Sequence, residues 1–234
     1  MSIAAATSAR DRAELSSAAA EVFGDRAELA RRYADFLTTE GIVRGVIGPR
    51  EADRVWSRHL FNSAALAPLI PAAARVVDLG SGAGLPGIPL AIARPDLSMV
   101  LLEPLARRAA FLRDCVAALE LTAVEVVVGR AEAGVTPPPQ VVVARAVAPL
   151  VRLIWLADAV LVGGGTLLAL KGASARAEVD AVRLAGPMDA EVLGVMAGGE
   201  SATVVRVLRP PSTTSRRARS SRPRRARPVA RGPQ

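Results

Sequence analysis

One stretch constrains this chain more than any other: "VVDLGSGAGLPGIPLAIA", Val76 to Ala93. A β-branched run, an acid, three alternating glycines and an apolar segment with two prolines must form a strand, a tight loop and a helix in quick succession. Two overlapping glycine patterns lie within it. Gly82-x-Gly84-x-x-Gly87 is one, and Asp78-x-Gly80-x-Gly82-x-Gly84 is the other. They imply different ligands, so the register of the loop decides the chemistry.

The flanking pattern supplies the register. Short β-branched runs alternate with helical segments from residue 75 onward. "RVVDL", "SMVLLE", "VEVVVG", "VVVARAV" and "TLLALKG" read as strands, and "LARRAAFLRDCVAALEL", "LVRLIWLADAVL" and "ASARAEVDAVRLAG" as helices. Such alternation predicts an α/β fold with a mostly parallel sheet covered on both faces. "AEVLGVM" and "ATVVRVL", joined by the short "AGGES", predict an antiparallel hairpin at one sheet edge. Residues ~10–70 read instead as helical. "RDRAELSSAAAEVFG" and "RAELARRYADFLTTEG" each end in a glycine stop, and a third helix starts near Pro49. The expected organisation is a helical extension over 1–70, a Rossmann-like domain over 71–209 and a tail over 210–234.

In that register the first strand ends at Val77 or Asp78, and Gly80 already occupies the turn. A dinucleotide loop would need its first glycine there and a free helix start for a pyrophosphate. Reading Gly82 as first glycine sets the loop two residues late and puts Pro86, which has no N–H, at the phosphate end. The acidic pattern assigns every residue to an S-adenosylmethionine (SAM) site instead. Asp78 stands near the methionine amine, Gly80, Gly82 and Gly84 pass beneath the cofactor, and Pro86 becomes a first-turn proline. Glu103, ending the second strand, is placed to hold the ribose hydroxyls, a device that dinucleotide folds share.

Charge narrows the partner. The net charge is +8, and Lys171 is the only lysine among 30 basic residues. Eight arginines and no acid fall in 210–234, which leaves 1–209 with 22 basic and 22 acidic residues. The body is therefore not a globally basic nucleic-acid binder, and a local patch must do that work. The tail, rich in Pro, Ser and Arg, is expected to be disordered; it reads either as a solvated extension or as a nonspecific attractor of RNA phosphates. A lone cysteine, Cys115, excludes an intramolecular disulfide framework, and no apolar run is long enough to cross a membrane, so a cytoplasmic protein is expected.

"DLGSGAGLPGIPLAIARPD", "LLEPLARRAAFLRDCVAALEL", "GRAEA", "VVARAVAPL", "LLALKG" and the upstream "WSRHLFNSAALAP" together resemble the small-subunit ribosomal RNA methyltransferase G family, also called the glucose-inhibited division protein B family. The resemblance covers roughly residues 25–208, and "LPGIPLAI" is its most specific element. It implies a SAM-dependent enzyme methylating N7 of a guanosine in the 530 loop of 16S rRNA, acting on the rRNA or the 30S subunit, as a monomer and without metal. It also implies cofactor contacts at Gly80, Leu85, Ala131, Glu132 and Arg145. Two of these have a plainer reading: Arg145 as a structural arginine, Glu132 as a helix-start carboxylate. Gln140 departs from the family, which often carries Asp at that point.

The target chemistry is compatible with this resemblance. Guanine N7 has an in-plane lone pair and no proton, so methylation there requires alignment and desolvation but no general base. The single histidine, His59, is therefore not expected to act as one. Arg58, His59, Arg145 and Lys171 are candidates for positioning substrate, with Arg58 and His59 alternatively forming a polar helix face. The segment Arg145-Ala146-Val147-Ala148-Pro149 lacks the Asn/Asp-Pro-Pro-aromatic motif of adenine-N6 enzymes, and Cys115 sits mid-helix rather than where a cytosine-C5 enzyme needs it. A SAM enzyme for small molecules and a non-catalytic RNA-binding assembly factor remain rivals.

Overall fold

A computed structural model describes residues 9–145 and 148–210 of the chain. The expected disordered tail lies, from residue 211 on, outside the described residues, as do Ala146 and Val147. Seven strands form one sheet: β1 (Arg75–Leu79), β2 (Ser98–Glu103), β3 (Val124–Val128), β4 (Val141–Arg145), β5 (Gly165–Lys171), β6 (Ala190–Ala197) and β7 (Glu200–Arg209). Their spatial order is β3-β2-β1-β4-β5-β7-β6. The first five run parallel, and β7 is antiparallel to both β5 and β6. The last strand thus enters the sheet between β5 and β6. The hairpin closes on Gly198 and Gly199, at φ +54° and +78°, as a two-residue loop requires.

The period-2 alternation of the strands separates two cores. Val76, Met99, Leu101, Val141, Val143, Leu168 and Val204 face one way; Val77, Val100, Leu102, Val142, Leu167 and Val205 face the other. Helices α6 (Leu150–Val160) and α7 (Ala175–Ala185) cover the second face. The first is covered by α4 (Gly87–Ala93), by α5 (Ala106–Ala118) and by the whole N-terminal region. Burial of both faces explains why these strands are almost continuously apolar.

The N-terminal region contains α1 (Ala9–Phe23) and α2 (Ala27–Phe36). Gly24, at φ +54°, ends α1 as expected. Gly41 does not end the next helix: α2 runs on through a π-helical segment, Leu37–Gly41, and the chain turns at Gly45, φ +63°. Gly41 instead packs beside Leu37, Ile47 and Phe111. The expected third helix is broken into pieces. Pro49–Arg54 is 3₁₀ with proline in its first turn, Val55–Phe61 is π-helical, and α3 (Asn62–Ala64) is one short turn. The wide π-helical turn is where the chain meets the sheet, and Phe61 carries the β6–β7 turn on its ring: a Cβ on Gly198 would lie 2.7 Å from it.

Candidate active site

A cleft of ≈ 390 Å³ opens where β1, β2 and β4 end, at the point where strand order reverses. Crevices at that edge are where open α/β sheets bind ligands. The glycine loop forms its floor. Gly80, Gly82 and Gly84 take φ values of +67°, +58° and +94°, which residues with a Cβ adopt only under strain. Gly80 N–H and Ser81 N–H both donate to the Leu102 carbonyl, at 2.8 and 3.3 Å, so the loop leaves β1 stitched to β2. Its far side hangs on the N-terminal helices: Tyr33, fully buried on α2, donates its hydroxyl to the Ala83 carbonyl at 2.8 Å.

Two carboxylates bracket this loop, and they do different things. Glu103, 2% exposed, lies in the cleft wall and accepts from Gly82 N–H and Leu105 N–H, each at 2.9 Å. Asp78 is fully buried below the loop and does not line the cleft. One of its oxygens accepts Gly87 N–H at 3.0 Å, and the other, Oδ1, has no hydrogen-bond partner. Burial pushes its carboxyl up to about 7, against the opposing pull of the Gly87 and Ser81 hydrogen bonds and the Arg145 charge. Asp78 therefore sits one layer deeper than a direct amine contact requires.

The same contact bears on which glycine pattern could hold a ligand. Gly87 N–H is taken by Asp78, Ile88 N–H bonds the Gly84 carbonyl at 2.8 Å, and Leu90 N–H bonds the Pro86 carbonyl at 3.2 Å. Pro86 and Pro89 have no N–H to offer. The start of α4 has no donor left for a phosphate, and a buried carboxylate already answers its dipole. Pro86 stands at the N-cap itself rather than in the first turn, which Pro89 occupies.

The sequence candidates converge in part. Gly80, Gly82, Leu85, Glu103 and Arg145 line the cleft. Ala131 and Glu132 line a smaller cavity of ≈ 180 Å³ beyond Gly80 and Pro104, with Gly80 bordering both. Glu132 pairs there with Arg152 at 3.0 Å. Arg145 ends β4, donating from Nη1 to the Arg58 carbonyl at 3.1 Å and from Nη2 to His59 Nδ1 at 2.7 Å. Burial lowers its pKa from the usual arginine range. Lys171 points elsewhere. Its ammonium is tied to the Ala148 carbonyl and to Glu178, both at 2.8 Å, while Glu178 also caps Leu150 N–H of α6. It braces the β4–α6 connection, and no described contact joins it to Arg145 or His59. Gln140, the family departure, bonds Arg75 N–H at 2.7 Å where β1 and β4 begin, at the edge of the sheet opposite the cleft.

Sequence reasoning missed four contributors. Val46 and Ile47 form a wall of the cleft from the N-terminal side, and Arg108 of α5 enters it with a buried Nε that has no partner. Glu51 places its carboxylate 2.9 Å from His59 Nε2, though outside hydrogen-bonding geometry. None carries a local signature, because each arrives from a distant segment. The wall combines loop backbone, one carboxylate and guanidinium groups with apolar Ile47, Leu85 and Leu105. That mixture fits an amphiphilic, zwitterionic nucleoside such as SAM, and the orphaned Arg108 Nε leaves the wall unmet polar capacity.

Residues 26–200 match the family model described as rRNA small subunit methyltransferase G. Proteins named ribosomal RNA small subunit methyltransferase G are similar along most of their length. The one from Salinispora tropica is 58% identical over 182 residues, covering 74% of this chain and 75% of that protein. The one from Thermobifida fusca is 52% identical over 199 residues, covering 82% and 84%. Among solved structures, a SAM-dependent methyltransferase from Aquifex aeolicus superposes with a TM-score of 0.51 at 16% identity, over 72% of this chain and 97% of that one; it speaks for the fold.

Proposed function

Because the chain belongs to the rRNA small subunit methyltransferase G family, we propose that it transfers a methyl group from SAM to N7 of a guanosine in the 530 loop of 16S rRNA. The observation that carries the cofactor assignment is the saturated start of α4, which turns away a pyrophosphate while the adjoining cleft accepts a nucleoside with a charged amino-acid end.

SAM, when bound, supplies an electrophilic sulfonium methyl. The residues that would hold it are the loop backbone at Gly80 and Gly82, Leu85 over an apolar face, Glu103 toward the ribose, and Ala131 with Glu132 at the smaller cavity. Asp78 acts from beneath, fixing the loop to α4 and offering Oδ1 through an intervening water. Arg145 stands in the cleft wall as a fixed cation for the carboxylate end of the cofactor or a phosphate of the RNA. With no proton to remove at guanine N7, these residues need only orient the base, exclude water and tolerate positive charge appearing on the purine. In this reading 71–209 is the catalytic domain and 1–70 a helical extension that walls its cleft, and the monomer works in the cytoplasm. No helix among the described residues is long and apolar enough to cross a membrane.

The test is methyl transfer from radiolabelled SAM to 30S subunits from cells lacking this gene, followed by identification of the modified base. Label at guanine N7 in the 530 loop is expected. SAM bound without label on 30S or free rRNA would leave the cleft assignment standing and overturn the target.

A further inference from the structure

Arg145 carries five N–H donors and accepts nothing. Its Nη2 lies 2.7 Å from His59 Nδ1, so that ring nitrogen must present its lone pair. The ring proton then belongs on Nε2, which lies 2.9 Å from the Glu51 carboxylate, a charge contact outside hydrogen-bonding geometry. The preceding residue contributes as well, since the Arg58 carbonyl accepts Nη1 at 3.1 Å. Two successive residues of one π-helical turn thus hold both terminal nitrogens of a planar guanidinium. A fork held at two corners cannot rotate, and Arg145 is one of the residues lining the cleft.

We propose that Glu51 and His59 are positioning residues, a half-buried acid behind a buried imidazole, that fix the Arg145 guanidinium in the cleft wall, with His59 acting as a neutral acceptor. The purpose rests on the reading of the cleft as a SAM site; the first test below does not. The surroundings agree. His59 is 4% exposed, and the charged groups facing it are Arg145, Glu51 and Arg58. Burial first, and then the Arg145 charge, lower its pKa to about 4 against the pull of Glu51. The lone pair that a general base would need is already committed to Arg145.

His59 is the only histidine of the chain, so a side-chain ¹⁵N spectrum of histidine-labelled protein contains a single ring. The expected spectrum shows a bare Nδ1 and a protonated Nε2 at neutral pH, unchanged down to below about pH 5. In Arg145→Ala the same ring should titrate nearer its ordinary value of about 6.5. A protonated Nδ1, or ordinary titration in the unaltered protein, overturns the proposal whatever the cleft binds.

The second test uses shape. His59→Asn sets an amide oxygen close to the Nδ1 position, whereas His59→Gln reaches the Nε2 position and leaves Arg145 without its acceptor. SAM affinity by calorimetry should fall no more than about threefold in the Asn variant and about tenfold or more in the Gln variant. A space-filling role would favour the longer Gln, so the reverse order or equal losses count against the proposal. Should either variant fail to fold, Glu51→Gln with the same ¹⁵N spectrum takes its place: the Nε2–H tautomer must persist there. Unaltered protein that binds no SAM would overturn the cofactor reading while the spectrum still decides the pair.

Discussion

The glycine loop and the Val55–Phe61 turn reach the same cleft, and different physics brings each there. The loop is shaped mostly by its own residues: three glycines within five residues take backbone conformations that other residues avoid, β1 and β2 hold its first end, and Tyr33 ties its far side. The turn is shaped from afar. Its polar groups, Arg58 O and the buried His59, find their partner 86 or 87 positions along the chain, at the end of β4. Both regions bury an ionisable side chain, Asp78 under one and His59 in the other, and burial drives both toward neutrality. A loop built from residue type survives much surrounding change. A turn built from a reciprocal contact depends on both ends of it.

The largest effect should come from breaking the local half. Gly80→Val forces a β-branched side chain into φ +67°, and SAM affinity measured by calorimetry should drop about a hundredfold. The His59 ¹⁵N signals should stay as they were. Their movement would mean that the two regions are one cooperative unit.

The buried groups offer a sharper contrast through pH. Between about pH 4 and 6.5 the unfolded chain protonates His59 and the native protein does not, so this contribution to stability grows as pH rises. Asp78 works oppositely. From about 3.8 to about 7 the native carboxyl keeps a proton that the unfolded chain releases, so its contribution is lost as pH rises. The two slopes offset each other in the intact protein. Denaturant titrations at several pH values should show stability climbing by about 1–2 kcal/mol from pH 4 to 6.5 in Asp78→Asn, and falling over the same range in His59→Asn. Parallel profiles in the two variants would refute the assignment of both groups.

The smallest effect tests the turn from its outer side. A Cβ at Gly198 would press on the Phe61 ring at 2.7 Å, and the residue is held at φ +54°. Gly198→Ala should lower stability by about 1 kcal/mol, read from a thermal melt, while SAM affinity changes less than about twofold. A larger loss of affinity would show that strain on Phe61 passes through His59 to Arg145.

What could be read from the amino-acid order follows the same division. β-branched alternation marks β1 to β5 because each strand's burial is written into its own residues, and the acidic glycine pattern marks the loop for the same reason. Glu103 is expected at a strand end, as observed, whereas Arg145 is read within the fourth strand and in fact ends it; either position along the chain implies position near the crevice. Lys171, a candidate for positioning substrate, pairs with Glu178, a partner that nothing near it in the sequence announces. Glu51, Arg108, Val46 and Ile47 escaped notice because their roles exist only after the helices dock. Asp78 was placed at the right strand end, yet its partner, Gly87 N–H, depends on how α4 settles nine residues later.

The placement of β7 has a consequence for the chain as it is being made. β6 pairs with β7 and with no other described strand, and β5 has β7 as its outer neighbour. Until the ribosome has extruded Glu200–Arg209, the growing polypeptide carries an open β5 edge and a β6 segment with nothing to pair with. Parallel strands β1 to β5 can assemble vectorially, but the sheet is completed only by threading the final strand into its interior. A stalled or clipped product ending near residue 199 would thus expose the β5 edge, which the β6–β7 hairpin covers once β7 is in place.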